Sequence, residues 1–186
     1  MQRVVRKAVI DIDNTLWHFC DLLYERLRMI NKVMPPPEQW AEWDFWEGYC
    51  SLKEFMEAIN DIHLNQDEER HRPYPEAKGF LSALREHGFS IVLASHRIPE
   101  SRKQTERWLG KHDLIYDELH LSFNKTVLFD DHCRIVVDDA PHVLEKAREK
   151  GARSAGLLFP WNRVCLSSGF NLFSNLNEAL HYLLER

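Results

Sequence analysis

The sequence predicts an α/β fold: a doubly wound, Rossmann-like parallel sheet core with a small helical cap inserted after the first strand. Two observations predict it. Short apolar runs of buried-strand character alternate with amphipathic helical stretches, the pattern of βαβ units. One segment, residues 17–71, breaks that alternation and carries no such run. The expected division is therefore a core of residues 1–16 and 72–186 and a helical cap of residues 17–71.

Each element has its own reason. Ala8-Val9-Ile10 is a short apolar run ending in acids, as a buried parallel strand does when it stops at a functional edge. Ser90–Ala94 and Arg134–Val137 share that profile, and Ser154–Phe159 closes before Pro160. Asp117–Leu121 supplies one more strand. From Pro75 to His87, Phe80, Leu81 and Leu84 share a helical face, with Gly88 placed to end the helix. Pro99 and Pro141 suit the first turns of helices reaching Lys111 and Gly151. An Asn-rich stretch can cap a last helix from Leu176 to Leu184. In the inserted segment, helices are expected over Phe19–Val33, Pro36–Glu47 and Leu52–Ile59, with a charged turn near Gln66–Arg70. The run from Asp67 to Arg72 reads as a solvated helix face rejoining the core.

A chain of 186 residues fits one domain carrying an insert. The net charge of -5 gives no electrostatic footprint for a nucleic-acid polymer. No apolar run approaches the roughly 20 residues that span a bilayer. A soluble, cytoplasmic protein is the expectation. Cys20, Cys50, Cys133 and Cys165 form no CxxC pair, so they read as reduced thiols.

The chemistry gathers at the strand ends, where open α/β sheets place their reactive groups. Those ends carry Asp11-Ile12-Asp13-Asn14-Thr15, Ser95-His96-Arg97 and Asp138-Asp139. Crowded carboxylates call for a compensating cation, and magnesium takes carboxylates together with water and phosphate oxygens. Asp11 can act as a covalent nucleophile and Asp13 as general acid and base. Ser95 offers a hydroxyl to phosphate oxygens and Lys125 a positive charge. Backbone N–H groups around Ile12 and Asn14 can cradle phosphate, which makes Asn14 and Thr15 candidate substrate contacts; His96, Arg97 and Arg163 are further ones. Singly, each has a plain role, such as Asp139 capping a helix; their order and placement after buried strands carry the catalytic reading.

This ordered set resembles the haloacid dehalogenase-like (HAD) superfamily of aspartate-dependent phosphatases over most of the chain outside the cap. Asp11-Ile12-Asp13-Asn14-Thr15 is similar to its first motif, Ser95 to the second, Lys125 to the third and Asp138-Asp139 to the fourth. The resemblance implies Asp11 as nucleophile and magnesium ligand, and Asp13 as acid/base that also gives its backbone carbonyl to the metal. It implies Asp139 as a direct ligand, with Asp138 acting through water or the two reversed. Asn124-Lys125-Thr126-Val127, Ile135–Asp139 and the later Phe159–Arg163 resemble the 5′(3′)-deoxyribonucleotidase-like branch, which usually has glycine where this chain has Asn14.

That branch implies a small-molecule phosphate monoester as partner, a nucleoside monophosphate, with Trp17 or Phe19 stacking on a base. Trp40, Trp43 and Trp46 recur at helical spacing and suit a cap core docked on the sheet. Asp11–Trp17 also resembles the magnesium-dependent phosphatases of sugar phosphates or phosphoproteins, which lack a large cap. The reading of another class is a HAD-like binding or regulatory module without turnover, against which the joint presence of Asp11, Asp13, Lys125 and Asp139 speaks.

Overall fold

The computed structural model describes residues 5–66 and 69–185, so Asp67 and Glu68 of the charged run lie outside the described residues. Six parallel strands form the sheet: β1 (Arg6–Ile10), β2 (Phe89–Ser95), β3 (Glu118–Leu121), β4 (Cys133–Val137), β5 (Arg153–Leu157) and β6 (Leu172–Phe173). Their spatial order is β3-β2-β1-β4-β5-β6. The chain winds outward from β1 to β3, then returns to the other side of β1. The order reverses between β1 and β4, and at such a switch point the loops at the carboxyl ends diverge and leave a crevice.

Alternate residues of the buried strands feed two cores, as the period of two requires. Ala8 and Ile10 pack with α3 (Ala77–Glu86) through Phe80, Leu81 and Leu84, and with α6 (Leu176–Leu184) through Ala179 and Leu183. Val9, Val92 and Val136 face α5 (Pro141–Glu149) through Val143 and Ala147. Helix α4 (Arg102–Lys111) follows a 3-10 turn that starts at Pro99. Gly88 has φ +81, the left-handed conformation that ends a helix, and donates its N–H to Arg85 at 2.8 Å. Asn175 caps α6 by accepting from the Glu178 N–H at 3.0 Å.

The insert holds α1 (Phe19–Ile30) and α2 (Leu52–Leu64), the latter opened by a capping box between Ser51 and Glu54. The helix expected over Pro36–Glu47 does not form. A single 3-10 turn, Pro37–Gln39, is followed by irregular turns up to Gly48, whose φ is +84. Tertiary stacking overrides the helical spacing there. Trp40 stacks on Phe45 with ring centroids 3.7 Å apart, and its indole N–H donates to the Pro35 carbonyl at 2.8 Å. Trp46 instead stacks on Phe55 of α2, at 4.7 Å. The three tryptophans therefore share no helix face. Among the described residues, no helix is long and apolar enough to cross a membrane, and the four cysteines are free.

Candidate active site

The loops after β1 and β4 meet above the switch point because both strands run one residue past their apolar parts. The Asp11 N–H still donates to the Val137 carbonyl at 2.8 Å, and the Asp138 N–H to Ala155 at 3.2 Å. Asp11 and Asp138 therefore leave the sheet side by side. Gly156 of β5 allows close packing on the other side of Asp138: a Cβ there would lie 2.4 Å from the Asp138 carbonyl oxygen.

Lys125 opens the 3-10 turn Lys125–Leu128 and is 2% exposed. Its Nζ lies 2.6 Å from Asp11 Oδ1 and 2.6 Å from Asp138 Oδ2. Burial disfavours the ammonium, but the two carboxylates outweigh that and push its pKa up, so Lys125 stays charged. Asp139 accepts on Oδ2 from Asn14 Nδ2 at 3.3 Å and from the Trp161 indole at 3.2 Å. One cation does not balance three buried acids. Burial pushes Asp11 well above the usual carboxylate range despite Lys125, with Asp138 and Asp139 adding to it. Burial and the neighbouring Asp138 push Asp139 up to about 7.

Asp13 has the opposite environment. The Arg97 fork grips both its oxygens, Nη2 to Oδ1 at 2.6 Å and Nε to Oδ2 at 3.1 Å. The Ser95 hydroxyl donates to Oδ2 at 2.9 Å and the Trp17 indole to Oδ1 at 2.9 Å. Burial would raise its pKa, yet the Arg97 charge and the His63 ring outweigh burial and hold Asp13 well below the usual carboxylate range.

Asn14 adopts φ +54, the left-handed region that glycine and asparagine tolerate best. Its side-chain oxygen accepts from the Cys20 N–H at 2.9 Å and ties the loop to the start of α1. An asparagine thus fills a turn suited to glycine and adds a bond to each flank.

These groups border a cavity of about 310 Å³. Asp11, Asp13, Asn14, Ser95, His96, Lys125, Asp138 and Asp139 all line it. Four expected substrate contacts do not. Thr15 and Trp17 are buried beneath the loop, Trp17 packing against Trp108 at 5.8 Å. Arg97 is 0% exposed and spent on Asp13, Gln66 and Thr105. Arg163 is exposed on the turn after β5, outside the cavity. Phe19, by contrast, reaches the wall. His96 stacks on His142 at 5.9 Å, and burial with the Lys125 charge lowers its pKa to about 4.

Sequence reasoning missed His63 and Gln66. His63 comes from α2, is buried against the stacked Phe19 ring, and places Nε2 3.1 Å from Asp13 Oδ2. Burial lowers its pKa. No spacing signal marks it, because tertiary contact alone brings α2 to Asp13.

Asp11, Asp138 and Asp139 each offer a carboxylate oxygen, the three lying within 4.8 Å of one another. An all-oxygen donor set of this charge fits a hard divalent cation such as magnesium.

No family model matches the chain, and no curated protein matches it by sequence. Solved structures do match by shape. A predicted phosphoglycolate phosphatase from Haemophilus somnus superposes with TM-score 0.64 at 14% identity, covering 97% of this chain and 99% of that one. A predicted phosphatase from Clostridium acetobutylicum gives TM-score 0.64 at 18% identity, covering 99% and 100%. A dehalogenase gives 0.58 at 15%, covering all of both chains. At such identities the likeness shows the fold alone, one shared with a haloacid dehalogenase-like family hydrolase from Streptococcus pneumoniae at TM-score 0.63 and 14% identity. The fold alone hosts more than one reaction.

Proposed function

We propose that this chain is a magnesium-dependent phosphomonoesterase acting on a small molecule through an aspartyl-phosphate on Asp11. The observation that carries the reading is the floor of the cavity, where Lys125 bridges Asp11 and Asp138 and Asp139 stands beside them. Lys125 pairs with Oδ1, and a bound magnesium ion would add the positive charge that keeps Asp11 a carboxylate, leaving Oδ2 to attack phosphorus. The new Asp11–phosphorus bond forms as the bond from phosphorus to the alcohol oxygen breaks, and the alcohol leaves with a proton. Water then cleaves the aspartyl-phosphate, giving inorganic phosphate and free Asp11. Asp13, held as the carboxylate, is in the form that takes a proton from that water. To give a proton to the leaving alcohol it must first come off the Arg97 fork and take up a proton from solvent, which then leaves with the alcohol. Asp11, Asp138 and Asp139, with the Asp13 carbonyl, would hold a magnesium ion, which supplies positive charge against the phosphoryl oxygens.

In this reading residues 17–71 act as a cap over the core of residues 1–16 and 72–186. The finer reading of the substrate is a nucleoside monophosphate. It is supported by the nucleotidase-like Asn124–Val127 stretch and by the flat rings of Phe19, Trp43 and Trp46 in the wall. The name of one similar structure, a predicted phosphoglycolate phosphatase, favours a small phosphate over a phosphoprotein, and a cavity of about 310 Å³ agrees with it. The test is phosphate release from a panel of nucleotides, sugar phosphates and a phosphotyrosine peptide, with magnesium and with chelator. Magnesium-dependent release is expected, and release that persists in chelator would reject the metal's part.

A further inference from the structure

The floor and the wall of the cavity make different demands on a ligand. The floor is polar and meets the phosphoryl group. The wall contributed by residues 17–71 is largely carbon: every residue it sends into the cavity is apolar or aromatic except His63, and its other N–H donors are the indoles of Trp40, Trp43 and Trp46. Phe45, Phe55 and Ile59 carry no side-chain hydrogen-bonding atom. Trp40 has already given its indole N–H to the Pro35 carbonyl. Among the described residues, Lys125 is the only lysine or arginine lining the cavity, and Asp11 and Asp138 hold it at 2.6 Å each.

A second anionic group on the substrate would therefore enter a carbon wall with no fixed cation to meet it. An unpaired charge in such surroundings is costly, and hydroxyls without partners also cost free energy. A flat apolar ring faces no such penalty and gains from contact with Trp46 and Phe55, themselves stacked at 4.7 Å. The volume, at the small end of the ligand-pocket range of about 300–1,000 Å³, suits one or two rings beside a phosphoryl group.

Resting on the phosphatase reading, we propose that the substrate is the phosphate monoester of an uncharged alcohol carrying an aromatic ring. The wall selects against esters with a second anion, such as phosphoglycolate, and against bare sugar phosphates. The aromatic ring lies against Trp46 and Phe55 while the phosphoryl group meets Asp11 and Lys125.

Two measurements separate this inference from the chemistry beneath it. The first is calorimetric binding to Asp11→Asn protein with magnesium, in which turnover is blocked. 1-Naphthyl phosphate is expected to bind at least tenfold more tightly than phosphoglycolate or glucose 6-phosphate, with Trp46→Ala narrowing that gap. Equal or tighter binding of phosphoglycolate or glucose 6-phosphate would overturn the inference. The second is phosphate release from the same esters by the unsubstituted protein. Preferential binding without release would reject the Asp11 chemistry and keep the aromatic selection. Release without preference would keep the chemistry and reject the selection.

Discussion

The floor of the cavity crowds three carboxylates around one lysine, whereas the wall stacks aromatic rings on one another with hardly a polar atom between them. The floor stands on strand ends fixed by the sheet's register, so its charges are held in place even though their mutual repulsion is unfavourable. The wall has no such scaffold: residues 41–50 form turns and bends, and ring-on-ring packing sets their positions. What this teaches is a separation of tasks. A rigid, electrostatically strained floor supports one chemistry, while an irregular, apolar wall decides what is presented to it. Changes on the floor should alter stability and turnover together, whereas changes at the rim of the wall should alter substrate preference with little effect on stability.

The largest effect is expected for Lys125→Met. It leaves Asp11 and Asp138 buried without a counter-charge, so a loss of about 3–5 kcal/mol is expected in denaturant unfolding at neutral pH without metal. Magnesium should recover part of that loss. A Lys125→Met protein as stable as its parent would remove the claim that the floor is held by this charge.

A smaller loss, about 1–3 kcal/mol, is expected for Gly156→Ala, whose new methyl would press on the Asp138 carbonyl oxygen. Phosphate release should fall with it, since Asp138 moves with its backbone. Unchanged activity and stability would show that the floor tolerates more displacement than its packing implies.

The pH dependence follows from Asp139, raised to about 7 in the folded protein against an ordinary value of about 3.9. Between those values the folded state keeps a proton that the unfolded state has released. This contribution to stability is present below about pH 4 and is lost as pH rises through about 7. A divalent cation replaces the proton, so magnesium should raise Tm more at pH 8 than at pH 5. A magnesium effect that is equal at both pH values would contradict the crowded floor.

Much of this division was legible in the sequence. The five longer strands and the core helices follow from local apolar runs bounded by Gly and Pro, such as the run ending at Ile10 or the helix opened by Pro141. The acids at the strand ends were legible for the same reason, since topology alone brings Asp11 to Asp138. The two-residue β6 was missed because Leu172–Phe173 is too short to show a period. The Trp40–Trp46 stretch misled because a helical spacing of tryptophans is equally compatible with an irregular segment whose rings stack within it, as Trp40 does on Phe45, or on residues beyond it, as Trp46 does on Phe55. Arg97 looked like a free cation beside Ser95, and only the fold shows it consumed by Asp13. His63 gave no signal, because what places it against Asp13 is the docking of α2 rather than any feature of its neighbours in sequence.

The smallest expected effect lies at the rim of the wall. Trp43 is 38% exposed and packs edge-on against His142 at 5.6 Å. Trp43→Ala should stay within about 0.5 kcal/mol of the parent in stability while raising KM for aromatic esters a few-fold. A large loss of stability would mean that this edge of the wall is structural.

The central claim, that Asp11 carries the phosphoryl group, is tested most directly by acid-quenching the protein during turnover and mapping phosphorylated peptides by mass spectrometry. One phosphoryl group is expected on the peptide containing Asp11 in the unsubstituted protein. None is expected in Asp11→Asn, whose steady turnover should fall by about 10⁶-fold, the scale for removing a covalent nucleophile. Full turnover by Asp11→Asn, or a phosphoryl group trapped on another residue, would contradict it.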